Sequence, residues 1–144
     1  MQNLIPKKGE EERRLKALAE YRILGTKPES CYDDITKIAA STCDVPISLM
    51  TLVDRDKQWF KAKVGLEINE TKRDWSFCTH AIKENTPLII NDAFHDERFI
   101  NNPLVTGDPK IRFYAGFPLR NSDGNKLGTL CVIDRKPGNL TTQQ

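Results

Sequence analysis

The last third of the chain constrains the fold most. IRFYAGFPLRN and KLGTLCVID are two strand-like runs joined through SDGN, and an Asp-Gly step between such runs marks a β-hairpin. On the first arm, period-two alternation puts Ile111, Phe113, Ala115, Phe117 and Leu119 on one face. Arg112, Tyr114, Gly116, Pro118 and Arg120 fall on the other. Gly116 and Gly128 leave room for a helix, a second backbone or a ligand to approach closely.

Upstream, PISLMTLVD reads as a central strand, and QWFKAKVG alternates Phe60, Ala62 and Val64 against Trp59, Lys61 and Lys63. The short polar DRDK between them predicts an antiparallel hairpin. Two helices precede these strands. Residues 10–24 open on glutamates and stop at Gly25, with Leu15, Leu18 and Arg22 along one stripe. That stripe is a candidate dimer seam, or a face that packs on the chain's own sheet. The second helix follows TKPE, where Thr26 and Glu29 have capping-box spacing, and runs to about Cys43. Cys31, Tyr32, Ile35, Ile38, Ala39 and Thr42 recur on it at helical intervals and predict good burial.

Between the hairpins, Asp74 or Ser76 caps a short helix in FCTHAIKE, PLIIND gives a brief strand, and AFHDERFINNPLVTGDPK is a long irregular segment with one helical turn near DERF. The element order predicts an α+β domain with a central antiparallel β-sheet flanked by helices. At 144 residues one domain is expected over 1–144, with a flexible N-terminus at 1–9 and residues 141–144 beginning a closing helix or linker.

The charge balance argues against some partners. A net charge of +2, with acids and bases interspersed, leaves no electrostatic footprint for nucleic acid. No run approaches the roughly 18 apolar residues that span a bilayer, and the N-terminus lacks the apolar core of a signal peptide. A cytoplasmic protein with no membrane partner is expected. Cys31, Cys43, Cys78 and Cys131 form no CxxC pair and read as free thiols.

The stretch DWSFCTHAI places Cys78 and His80 two residues apart. On a helix they diverge by about 200°, which disfavours a shared metal. The further candidates His95, Cys131, Asp92 and Asp96 lack ligand spacing, so no metal site is expected. Near a helix N-terminus Cys78 is a candidate reactive thiol, with Cys131 as its partner across the fold. The plain alternative is that both sulfurs pack among apolar neighbours.

The ordered blocks RILGTKPE, ISLMTLVDRDKQWFKAKVGL, SFCTHAI, LIINDAFHDERFINNPLV, IRFYAGFPL and GTLCVID resemble those of GAF domains over roughly residues 13–140. The resemblance implies a non-catalytic sensor module. It binds a small-molecule signal or dimerises, and controls an attached output domain such as a histidine kinase or diguanylate cyclase. It also implies a pocket between the sheet and its covering short helices. Phe77, Cys78, His80, Asp92, Phe94, Phe99, Arg112, Phe113 and Tyr114 are its candidate ligand-binding residues, the aromatics as walls and the polar groups for orientation. Two alternatives are a thiol-dependent small-molecule reductase using Cys78 and Cys131, and a dimerisation scaffold without a ligand. Bilin-binding GAF domains follow their cysteine directly with histidine, whereas Thr79 intervenes here. No glycine-rich phosphate loop indicates a cyclic nucleotide, and no residue identifies a cofactor.

Overall fold

The computed structural model describes residues 8–144. Its elements are α1 (Lys8–Glu20), α2 (Ser30–Cys43), β1 (Ile47–Val53), β2 (Lys57–Val64), β3 (Glu70–Lys72), α3 (Phe77–Ala81), β4 (Leu88–Ile90), α4 (Pro103–Thr106), β5 (Phe113–Arg120) and β6 (Lys126–Asp134). The expected flexible N-terminus lies mostly outside the described residues, and Lys8 and Gly9 already belong to α1. Residues 141–144 form a turn closed from Gln144 N–H to Thr141 O, not a helix.

The six strands form one antiparallel sheet in the order β3-β2-β1-β6-β5-β4. β1 is buried along its whole length, as its unbroken apolar run requires for a central strand. Both expected hairpins form, β1 with β2 and β5 with β6. Gly128 sits opposite Leu52, where a Cβ would overlap the Thr51 carbonyl oxygen, so its hydrogen side chain lets β6 close on β1.

The sheet divides the core. On one face α3, α4 and the segment between them cover Ile47, Leu49, Val53, Phe60, Tyr114, Cys131 and Ile133. On the other, α1 packs Ala17 and Leu18 on Leu52 and Leu127, while Phe113, Ala115 and Val132 meet Ala39 and Cys43 of α2.

Several local expectations change for identifiable reasons. α1 ends at Glu20, and Arg22, at φ 51°, lies beyond it in the left-handed region. Leu18, only 1% exposed, is used within the chain's own core. The Leu15, Leu18 and Arg22 stripe is therefore not a free seam. The Thr26 capping box does not form: Thr26 Oγ1 donates to Ile23 O, and the Glu29 carboxylate pairs with Lys61 at 2.6 Å. Only Thr36 and Ala40 are buried on α2, while Ile35 and Ile38 are 42% and 64% exposed. The helix turns its polar-small stripe inward and its isoleucines out.

A β-bulge explains Lys61. Thr51 pairs with Phe60 and Met50 with Ala62, so Lys61 has no partner residue on β1, and Phe60 and Ala62 point to opposite faces. The strict alternation expected of β2 therefore fails there. The Lys61 side chain is fully buried, and its ammonium donates to Thr26 Oγ1 and Lys27 O, each at 2.7 Å, beside Glu29. Those partners offset the cost of burying a charge.

Candidate functional site

The site is built around α3. Ser76 caps the helix by accepting the Thr79 N–H at 3.2 Å, and its own hydroxyl donates to Gln58 Oε1 at 2.7 Å, which anchors the cap to β2. Phe77 and Cys78 then point at the sheet. Phe77 stacks on Phe99 with ring centroids 4.1 Å apart and stands 5.2 Å from the Tyr114 ring. α4 is tied to the same cover. Asn102 caps it by accepting the Leu104 N–H at 2.8 Å, and its amide donates to Trp75 O at 3.0 Å.

Beneath α3 lies a small polar cluster within the apolar core. Cys78 Sγ accepts hydrogen bonds from Thr129 Oγ1 at 3.0 Å and Tyr114 Oη at 3.2 Å. Thr51 Oγ1 is 3.0 Å from Thr129 Oγ1. With the Thr129 proton directed at sulfur, Thr51 is the donor of that pair. The Thr129 N–H closes the unit on Thr51 Oγ1 at 3.1 Å. Gly116 makes the arrangement possible, because a Cβ there would overlap the Tyr114 hydroxyl. Burial pushes the Cys78 thiol up, but hydrogen bonding with Cys131, Thr129 and Tyr114 outweighs it and brings the thiol below its ordinary range. Cys131 moves the other way, because burial and the Cys78 sulfur both disfavour its thiolate. Apolar packing therefore does not describe Cys78, whose sulfur has polar neighbours.

A cavity of about 20 Å³ opens beside this cluster. Cys78, Cys131 and Tyr114 line it together with Phe77, Leu104 and Ile111. The lining also includes Ile68, which is 45% exposed and marks the mouth near the loop between β2 and β3. The volume suits one water-sized molecule and is far below the few hundred Å³ typical of drug-sized ligands.

The other candidate residues lie elsewhere. Phe113 is buried on the opposite face of the sheet against α2, so it cannot wall this cavity; the neighbouring Tyr114 does so because alternation along β5 turns it toward α3. Ile111 precedes the strand and does not share Phe113's face. His80 is half-buried, its ring 4.8 Å from that of Phe99 and its Nδ1 buried with no hydrogen-bond partner among the described residues, and burial lowers its pKa. Asp92 caps a single turn at Ala93–His95, accepting the Phe94 N–H at 3.0 Å and meeting His95 Nδ1 at 2.8 Å. Arg112 donates to the carbonyls of Val105 and Ile111, both at 3.0 Å, and lies 5.0 Å over the exposed Phe94 ring. Asp92, Phe94 and Arg112 therefore brace the loop segment from its outer side. Thr51 and Thr129 join the site from within β1 and β6, and their only sequence signal is a threonine inside each of two apolar strands.

A GAF domain family model matches residues 27–144. The chain belongs to the GAF domain family. A cyclic di-GMP phosphodiesterase of Pseudomonas aeruginosa is 45% identical over 109 residues, which cover 76% of this chain and 19% of that protein. The chain thus spans about a fifth of that relative's length. The GAF domain of a phosphoenolpyruvate-protein phosphotransferase from Coxiella burnetii superposes with a TM-score of 0.65 at 12% identity, covering 99% of this chain and 85% of that one. A type II free methionine-R-sulfoxide reductase from Thermoplasma acidophilum gives 0.64 at 14% identity, over 88% and 83%. At such identities the two likenesses concern the fold alone. Among the described residues of this GAF domain all four cysteines are free thiols, no group of His, Cys, Asp and Glu is placed to hold a metal, and no helix is long and apolar enough to cross a membrane.

Proposed function

We propose that this GAF domain is a non-catalytic, cytoplasmic regulatory sensor. A small-molecule signal taken up beneath α3 biases α1, and through it an attached signal-transduction output domain. Self-association is part of this reading, with the exposed Ile35 and Ile38 of α2 replacing the α1 stripe as its candidate surface.

The observation that carries the proposal is a connection between the cavity cover and α1. Arg73 opens the turn before α3, and its backbone carbonyl accepts the Thr79 hydroxyl of α3 at 3.2 Å. Its guanidinium grips Glu11 of α1, which also holds Arg14 at 2.9 and 3.0 Å. Arg14 in turn donates to Val53 O at 2.7 Å, at the end of the central strand. Any movement of α3 therefore pulls on an ion-pair network rooted in α1. A signal acts through this network only by binding one arrangement better than the other.

Hydrogen exchange tests the connection. In Arg73→Ala the amides of α1 and α3 should both lose protection, and a molecule detected on the chain by native mass spectrometry should change α1 exchange in the wild type but not in the variant. Loss of protection confined to α3, with no bound molecule affecting α1, would leave a dimerisation scaffold.

A second reading, a thiol-dependent reductase, is favoured by the hydroxyl donors on Cys78 Sγ. It requires sustained turnover of an oxidised substrate with excess thiol reductant, whereas a sensor reacts or binds once per domain.

A further inference from the structure

We propose that Cys78 and Cys131 are a buried oxidant-sensing pair, which hydrogen peroxide entering the cavity converts into an intramolecular disulfide. The inference rests on the sensor reading above and names the chemical class of its signal.

The cavity selects by size and charge. At about 20 Å³ it holds a molecule of one or two heavy atoms, and its lining is predominantly apolar, so a small uncharged solute enters where an anion or a metabolite does not. Both cysteines line it. Cys31 is exposed and Cys43 half-buried, and neither lines the cavity, which makes the buried pair chemically distinct from the other two thiols.

The neighbours of Cys78 assign the roles. Two hydroxyls, from Thr129 and Tyr114, donate to its sulfur and favour an electron-rich nucleophile. Cys131 lacks that pair of donors and is the resolving thiol. In the first step Cys78 Sγ attacks one peroxide oxygen. The S–O bond forms and the O–O bond breaks, and the departing oxygen leaves as water with the proton given up by the Cys78 thiol. In the second step Cys131 Sγ attacks the sulfenic sulfur. The S–S bond forms and the S–O bond breaks, and hydroxide leaves as a second water with the Cys131 proton. Two electrons pass from the sulfur pair to one peroxide molecule.

The new bond ties α3 directly to β6, and the shift of α3 reaches Glu11 through Arg73. A cellular thiol reductant restores the starting state by exchange.

The test treats the reduced, folded chain with hydrogen peroxide, blocks free thiols, and maps peptides without reduction. A crosslinked peptide pair containing Cys78 and Cys131 is expected. Cys131→Ser should stop at a Cys78 sulfenic acid, captured by a dione probe. Should Cys131→Ser fail to fold, Thr129→Val keeps the shape while removing a donor, and should slow the loss of the Cys78 thiol by about ten-fold. Oxidation confined to Cys31 and Cys43 in the folded protein would overturn the pair, as would an unchanged rate in Thr129→Val. Hydrogen exchange separates the two proposals. A disulfide that leaves α1 exchange unaltered sinks the sensor reading and keeps the redox pair. A different bound molecule that alters α1 while Cys78 and Cys131 stay reduced does the reverse.

Discussion

The two faces of the sheet are built on different principles. Toward α1 and α2 the core is made of two small clusters, Leu18 with Leu52 and Leu127, and Phe113 with Ala115 and Val132. Both charges buried on that side are satisfied, Lys61 by Thr26, Lys27 and Glu29, and Arg14 by Glu11 and Val53 O. Toward α3 and α4 one large cluster surrounds two thiols, two threonine hydroxyls and a tyrosine hydroxyl that bond mainly to one another. A cavity runs beside them. A scaffold needs only the first kind of face. Keeping polar groups in a deep core is costly unless each is satisfied, and on the second face the sulfurs and hydroxyls satisfy one another.

Paired truncations set the two faces against each other. Phe77→Ala removes a ring that is 2% exposed and stacked on Phe99, and should cost about 3 to 5 kcal/mol. Leu18→Ala empties a site in a smaller cluster and should cost about 2 to 3 kcal/mol. Urea denaturation measures both. The informative readout is the reactivity of Cys78 toward a small thiol reagent under native conditions, which should rise sharply in Phe77→Ala and stay near wild type in Leu18→Ala. Equal reactivity in the two variants would mean that the faces are not functionally distinct.

The sequence disclosed most of the scaffold and only part of the site. The Asp-Gly hairpin, the buried β1 run and the Ser76 cap are local signals, each resting on turn chemistry or periodicity, and each reappears in the structure. Where tertiary geometry intervened, legibility failed. The bulge at Lys61 depends on a bonding partner for an ammonium more than thirty positions upstream. The exposure of Ile35 and Ile38 depends on which stripe of α2 the sheet accepts. At the site, Phe77, Cys78 and Tyr114 converge on the cavity, whereas Phe113, a candidate wall by residue type, lies on the face alternation gives it, and the cavity opens on the tyrosine side of β5. Nothing local reveals that Thr51 and Thr129 meet over Cys78, since that contact is a matter of register between β1 and β6.

The link between the faces is sensitive to pH. Burial alone would push the Glu11 carboxyl up, but hydrogen bonds from Arg14 and Arg73 and the charges of those two residues hold it at about 2 instead of 4.5. A carboxylate depressed in the folded state contributes stability that is fully present above the unfolded pKa. That contribution is lost as pH falls from about 4.5 through about 2. Glu11→Gln should therefore cost on the order of 1 kcal/mol at neutral pH, the scale of a partly exposed ion-pair network. The difference from wild type should shrink across that acidic window, as followed by urea midpoints at a series of pH values. A constant gap would show that Glu11 does not hold α1 electrostatically.

The smallest effect is expected on the outer face of α2, which belongs to neither core. Ile38 is 64% exposed and Ile35 42%, so replacing both with serine removes little buried area and should change unfolding free energy by less than about 0.5 kcal/mol. Cys31 lies one turn before Ile35 on the same exposed stripe. The stability result alone distinguishes a passive surface from part of the fold. Sedimentation of the same double variant distinguishes a passive surface from a contact between copies. If wild type self-associates and the variant does not, at equal stability, α2 supplies the interface and α1 remains free to carry the signal from α3. If both sediment alike as monomers, self-association through α2 is removed from the proposed function. The coupling through Glu11 and Arg73 would then act within a single chain.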